Sequence, residues 1–422
     1  MKKMYTIALS SALALSGCLS GCSAKKGTDG VVEIEIVQYK PEAVEVFNQL
    51  EEEFNKTHDD IHLTIESPND AMTIMKTRFI REDYPDIIGI GGDVNYSNFV
   101  DAELLADVSD YSGIDNVKEA YVDIIEGLEF VPTEGTFGVP YMANAAGVLY
   151  NRDMFEEHGW EIPTTWSEFI QLCKDIEAEG IQPLYFGYKD TWTTLAPWNA
   201  LAVDLAPADI CQQVNSGDAT FTESYREVAE KQYELLQYAE KDPFAYGYND
   251  ACTEFARENS AMYIIGSYAV PQILSVNPDL NIDSFVMPGS DDADQQTLNS
   301  GVDLMFCLME NCEHKEEAYV VLDFLLKHDN MQYYIDVQNA VPCTEGDFEL
   351  PAMLDGMKEY IDQGKMADFQ DHHYPSEMAV DAQIQTFLIE GDVDKFLKKF
   401  DTDWVRYNRD IIRKVQAYNE SR

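Results

Sequence analysis

Apolar and polar residues first alternate over Val31–Val37, where Glu33 and Glu35 fall on one face of a predicted strand. The period then lengthens. After Pro41-Glu42, the residues Ala43, Phe47, Leu50 and Phe54 recur at helical spacing and give one apolar face. Ile61–Ile65 reads as a second strand and Ala71–Ile80 as a second helix. Tyr84–Ile90 is a third, apolar strand closed by Gly91-Gly92-Asp93. Strands and helices alternating at this spacing predict an α/β unit with a largely parallel sheet.

A second unit opens near Val139-Pro140-Tyr141, with a strand at Gly147–Tyr150 and a short helix at Arg152–His158. Thr165 and Glu168 are spaced as a capping box, and Phe169, Leu172, Cys173 and Ile176 follow on the buried face of the helix it starts. Helices then dominate to about Lys241. Strands return at Ser260–Gly266 and Ile282–Met287, and a helix follows over Glu316–Lys327. The chain ends in long helices with Phe396, Phe400 and Trp404 four apart. The pattern predicts two α/β lobes, with the chain passing between them more than once.

Length and charge narrow the function. At roughly 100–200 residues per domain, 422 residues make two or three structural units. Lys and Arg number 29 against 77 Asp and Glu, a formal net charge of −48. Such a surface repels polyanions and excludes a nucleic-acid partner. Its plain reading is a solvated, self-repelling coat.

The N-terminus reads as a leader. Met1-Lys2-Lys3-Met4 is a short basic end, followed by an apolar stretch too short to span a membrane comfortably. Leu15-Ser16-Gly17-Cys18 and Leu19-Ser20-Gly21-Cys22 both resemble the bacterial lipobox, whose cysteine is lipidated. Cys22 is favoured because a polar stretch follows it at once, with Cys18 as the alternative. Residues 1–21 are then a lipoprotein signal peptide and residues 22–30 a tether, which places the protein at the extracellular face of the cell membrane, held by lipid. Six further cysteines include no Cys-x-x-Cys, and buried thiols or one or two disulfides both fit them.

Several catalytic or metal patterns fail on geometry. His58-Asp59-Asp60-Ile61-His62 has the spacing of a zinc motif, but it lies where a helix gives way to a strand. Two residues four apart in a strand sit roughly 13 Å apart, too far to share one ion. His372-His373 reads as a solvated or pocket-rim pair, and Asp291-Asp292-Ala293-Asp294 as surface. No Gly-x-Gly-x-x-Gly, Walker or Gly-x-Ser-x-Gly motif is present. The reading calls for no metal and no cofactor.

What stands out is aromatics beside polar residues in loops. Gln38-Tyr39-Lys40-Pro41-Glu42 follows the first strand, Gly266-Ser267-Tyr268 follows an apolar run, and Gly301-Val302-Asp303 opens another. The stretch Asp190–Asn199 carries Trp192 and Trp198 among hydroxyls and amides. A sugar offers apolar C–H faces for rings to stack on and hydroxyl edges for polar groups. Either tryptophan could equally be core.

In order and spacing, these pieces resemble the family 1 extracellular solute-binding proteins, the carbohydrate-binding lipoproteins of bacterial ABC importers. The resemblance runs from about Val31 to at least Gly346. It rests on Gln38–Glu42, Tyr84–Ile88, Gly138–Asn144 leading into Gly147–Phe155, Pro163–Trp166 and Trp192 through Asn199. Ser267-Tyr268 stands where the family often has Trp, so the stacking platform differs and ligand identity cannot be borrowed.

The resemblance implies a bilobal clamp with several hinge crossings. One lobe would comprise residues 31–142 plus 281–329 and the other residues 143–280 plus 330–422. It implies a ligand site from Tyr39, Lys40, Glu42, Asp93, Tyr141, Asn144, Trp192, Trp198, Ser267, Tyr268 and Asp303. The implied activity is non-enzymatic: a monomer that captures a carbohydrate, an oligosaccharide, and delivers it to ABC permease subunits. A cell-surface glycoside-active enzyme and a sensor subunit built on the same clamp are the alternatives.

Overall fold

The computed structural model describes residues 30–422. The leader, Cys18 and Cys22 lie outside the described residues. Nine strands form one sheet: β1 Val32–Gln38, β2 Ile61–Glu66, β3 Ile87–Ile90, β4 Val139–Asn151, β5 Met262–Gly266, β6 Ile282–Phe285, β7 Leu298–Leu308, β8 Val341–Pro342 and β9 Met366–Ala367. Its main path runs β2-β1-β3-β7-β4-β5, with β6 and β8 also on β4 and β9 on β7.

The β1–β3 unit is parallel, as its strand–helix alternation predicts. The third strand is shorter than the Tyr84–Ile90 expectation. Pro85 has no N–H to give a ladder, and Asp86 instead accepts the Glu35 N–H through its side chain at 2.9 Å. From β3 onward the main path is antiparallel, because β7 enters from the other lobe and runs against both β3 and β4.

Two long strands carry the chain between lobes. β4 pairs with β7 along most of its length, and the register slips between Pro140 and Met142 and again before Ala143. β6 pairs with the far half of β4, where Phe285 and Met287 join the core that holds Phe169 and Trp198, while Val286 between them joins the core that holds Phe47 and Phe54. Met331, Tyr334 and Ile335 of the His328–Gln338 helix join the cluster that holds Phe47 and Phe54, and the Ala352–Leu354 turn packs on β6, its Met353 carbonyl accepting from the Ser284 hydroxyl at 2.5 Å. The last crossing is the segment from Gly364 to Tyr374. β9 within it pairs with β7, and Tyr374 enters the core built by Trp198, Phe400 and Trp404.

Local chemistry fixes the remaining elements as the pattern requires. Thr165 and Glu168 form the expected capping box on the Trp166–Ala178 helix. Phe396, Phe400 and Trp404 line the buried face of the Val393–Tyr407 helix. All six body cysteines are free thiols, five of them buried, which settles the choice between thiols and disulfides. No helix among the described residues is long and apolar enough to cross a membrane.

Candidate functional site

The first wall of the cleft is built by the turn after β1. Gln38 is fully buried, with its side-chain carbonyl accepting from the Lys40 N–H at 2.6 Å and its amide donating to the Lys40 carbonyl at 2.8 Å. This clamp needs Gly89 beside it, where a Cβ would lie 2.5 Å from that of Gln38. The Tyr39 hydroxyl donates to the Asp303 carbonyl at 2.6 Å, tying the turn to β7.

Lys40 then has one possible direction. Its Nζ lies 2.5 Å from Asp303 Oδ2 and 3.2 Å from Glu42 Oε1. Burial alone would depress the Lys40 pKa, but Asp303, Tyr39 and Glu42 outweigh it and hold the ammonium above its ordinary range.

The facing wall is aromatic. Trp192 lies on the short Thr191–Thr194 turn, with its ring 5.0 Å from Tyr248 and 6.2 Å from Tyr268. Asp190 couples this turn to the next helix by accepting from the Tyr248 N–H at 2.7 Å. Trp192 is 41% exposed and Tyr268 37%, high values for large rings held inside a cleft. A cavity of about 450 Å³ lies here, lined by Lys40, Glu42, Asn144, Tyr248, Tyr268 and Asp303 among others. Ser267 also reaches it, and the buried Asn144 Oδ1 has no hydrogen-bond partner among the described residues.

A second cavity, of about 320 Å³, collects Asp93, Asn95, Leu195, Asp371 and His372. Asp93 caps the Val94–Asp101 helix, accepting from the Asn95 N–H at 2.7 Å. His372 Nδ1 lies 2.8 Å from Asp368 Oδ1. Burial would lower the His372 pKa, but Asp368, Asp371 and Asp93 raise it to about 10, so the ring is an imidazolium at neutral pH. Asp371 accepts from the Asn199 amide at 2.7 Å. Burial pushes the Asp371 carboxyl up, against the pull of His372 and Asn199.

Nine of the expected residues therefore line or frame the two cavities: Tyr39, Lys40, Glu42, Asp93, Asn144, Trp192, Ser267, Tyr268 and Asp303. Two do not. Tyr141 is fully buried between Phe306 and Tyr334, at 5.2 and 5.4 Å, because the slip in β4 turns it into the first core. Trp198 is 0% exposed, and its indole N–H donates to the Tyr374 hydroxyl at 3.1 Å. One position on, Asn199 is the residue that reaches the cleft segment, through Asp371.

Sequence reading missed Tyr248, Asp371 and the full role of His372. The available signal was Asp368 four residues before His372, a spacing that lets a carboxylate hold an imidazole. Nothing local marked Tyr248, which acquires its neighbours only through Asp190.

Residues 40–332 match the family described as bacterial extracellular solute-binding protein. The multiple sugar-binding protein of Streptococcus mutans is 26% identical over 342 residues, covering 78% of this chain and 80% of that protein. Among solved structures, the apo form of RafE from Streptococcus pneumoniae superposes with a TM-score of 0.80 at 24% identity, over 93% of this chain and 100% of that one. RafE in complex with raffinose gives a TM-score of 0.75 at 24% identity, over 92% and 100%.

Proposed function

The chain belongs to the bacterial extracellular solute-binding protein family, and we propose that it captures a neutral oligosaccharide between its lobes and hands it to an ABC permease. The observation that carries this reading is the pairing of two unlike walls. Three aromatic rings, Trp192, Tyr248 and Tyr268, offer faces for sugar C–H groups. Lys40, Glu42, Asp303 and the unpartnered Asn144 Oδ1 supply hydrogen bonds for hydroxyl edges. Relatives that bind sugars, among them one solved with raffinose, support the same class.

Capture needs no chemistry from the protein. A sugar that touches both walls has more contacts when the lobes close, so it stabilises the closed form by that difference in affinity. The cleft acids support a binding role over a hydrolytic one. Asp303 is held by Lys40, Asp93 by its helix and Asp371 by Asn199, so each is committed to a fixed partner.

Charge narrows the ligand. Lys40 is paired with Asp303, and His372 with Asp368, while Glu42, Asp93 and Asp371 add further negative charge. Uronic acids and sugar phosphates would meet like charge here. The lipid anchor at Cys22, with Cys18 as alternative, keeps the monomeric clamp beside its permease at high local concentration.

Calorimetric titration against raffinose, stachyose, maltotriose, xylotriose and a matched oligouronate tests the reading. Saturable binding of at least one neutral glycan and none of the oligouronate is expected. No neutral glycan binding by a folded protein would sink it. Mass spectrometry of the exported protein, with Cys22→Ala and Cys18→Ala compared, tests the anchor.

A further inference from the structure

The Gly364–Tyr374 crossing separates two cavities. Asp371, His372 and Tyr374 line the 320 Å³ cavity of the cleft. Asp368, Gln370 and His373 line a different cavity of about 300 Å³ on the segment's other side. The first lobe contributes Asp123 and Ile124 from the Glu119–Gly127 helix, and the second contributes Asp209 and Gln212 at the start of the Ile210–Ser216 helix. The two walls already touch, since Gln212 Nε2 donates to the Gly127 carbonyl at 2.8 Å.

The charge of this rear cavity is one-sided. Three carboxylates line it, and no Lys or Arg does among the described residues. Asp368 is the telling group. Its side chain is 9% exposed, and Oδ1 is bonded to His372, but Oδ2 has no hydrogen-bond partner among the described residues. His373 Nε2 is 3.7 Å from it, beyond hydrogen-bond range. A buried carboxylate oxygen left without a donor is costly, and such a group ordinarily has a partner. Gly301 holds the carboxylate in place: a Cβ there would fall 2.3 Å from Asp368 Oδ1 and 2.9 Å from His372 Cε1.

We propose that the rear cavity is a second binding site, for a small organic cation bearing an ammonium or guanidinium group, and that its occupancy weakens sugar binding in the cleft. The cationic head would donate to Asp368 Oδ2, while Asp123 and Asp209 hold the other end at the mouth. Ile124, Ala208 and Met366 provide apolar surface for an alkyl stem. The coupling runs through one carboxylate. Asp368 holds the His372 imidazolium that faces the cleft, so a second cation on the same group competes for its charge and repels the ring proton. By linkage the sugar would weaken the cation by the same factor.

The coupling rests on the sugar-capture reading, but the site itself does not, and two titrations separate them. Agmatine and putrescine are titrated into the full chain without sugar, in 0.15 M NaCl. One saturable site is expected, weakened at least tenfold in Asp123→Asn/Asp209→Asn. Absence of saturation overturns the site. So does an equal loss in the control Asp291→Asn/Asp292→Asn, which marks generic attraction to an acidic coat. In the second titration, saturating agmatine should raise the Kd of raffinose, or of whichever neutral glycan binds, about threefold to tenfold over an equal concentration of added NaCl. That effect should vanish in the Asp123→Asn/Asp209→Asn protein, whose basal sugar affinity should be unchanged. Agmatine binding with no change in sugar affinity overturns the coupling.

Discussion

Trp192 and Trp198 are six positions apart on one polar stretch and have opposite jobs. The first stands 41% exposed against Tyr248 and Tyr268, and the second is sealed among Tyr225, Phe396 and Phe400. Trp192→Ala should therefore cost binding and not folding: about 2 kcal/mol, a roughly thirtyfold weaker sugar Kd, as for a stacked aromatic anchor. Its apo melting temperature should stay near the parent value. Trp198→Ala should do the reverse and lower unfolding free energy by about 3–5 kcal/mol in a denaturant titration. A large apo destabilisation from Trp192→Ala would place that ring in the core. Tyr141 gives a subtler case. Its hydroxyl is buried with no hydrogen-bond partner among the described residues, so Tyr141→Phe removes an uncompensated desolvation cost and should leave stability equal or slightly higher. A clear loss in chemical unfolding would mean the hydroxyl has a partner after all.

At the scale of elements, the cleft depends on how strands end. Gly266 closes β5, and the Tyr268 ring folds back over it so closely that a Cβ would lie 2.2 Å from a ring carbon. The backbone there is extended at φ −89°, so alanine brings no backbone strain and only the ring must move. Gly266→Ala should lower sugar affinity about tenfold, within the range of a lost aromatic contact, and shift stability little. Equal affinity in parent and variant would show that Tyr268 does not need its present pose. Elements also mark the limit of legibility. The β1–β3 unit, the capping box and the C-terminal apolar face all follow from short-range spacing, and all are present. The packing of β6 and of the His328–Gln338 helix was not readable, because both are placed by partners more than a hundred residues away.

Across the whole molecule, three largely buried groups, Asp204, Glu240 and His372, tilt folding stability the same way with pH. Burial raises the Asp204 carboxyl to about 6 and the Glu240 carboxyl to about 7, while the carboxylates around His372 overcome its burial and hold it near 10. Each folded value lies above its unfolded one, roughly 4 for the acids and 6.5 for histidine. Each contribution is therefore complete below the unfolded pKa and lost as pH rises through the folded one. His373 has the opposite sign, its pKa being lowered chiefly by burial, and it acts only where pH falls below about 6.5. The melting temperature should thus fall steadily from pH 6.5 to 10 at constant ionic strength. His372→Gln should flatten the part of that slope above pH 7.5. A melting temperature that rises over this interval would contradict the assignment.

The sequence by itself determined the lobes' secondary structure, the acidic coat and most of the cleft. Alternation periods, capping residues and loop aromatics act over a few positions, so their consequences are written locally. Lys40, Glu42, Asp303 and Tyr268 could be named as candidate contacts because the family resemblance implies them, and Lys40, Glu42 and Tyr268 also follow an apolar run, where α/β sheets bind. Tertiary structure alone decided which of two tryptophans faces solvent, that Tyr141 turns inward at a slip in β4, and that Asp371 and His372 reach the cleft. It alone set Asp368 behind them, with one oxygen for His372 and one without a donor among the described residues. The physical reason is the same in each case. Which face of an element is buried, and which carboxylate lacks a donor, depends on what packs against it from elsewhere in the chain.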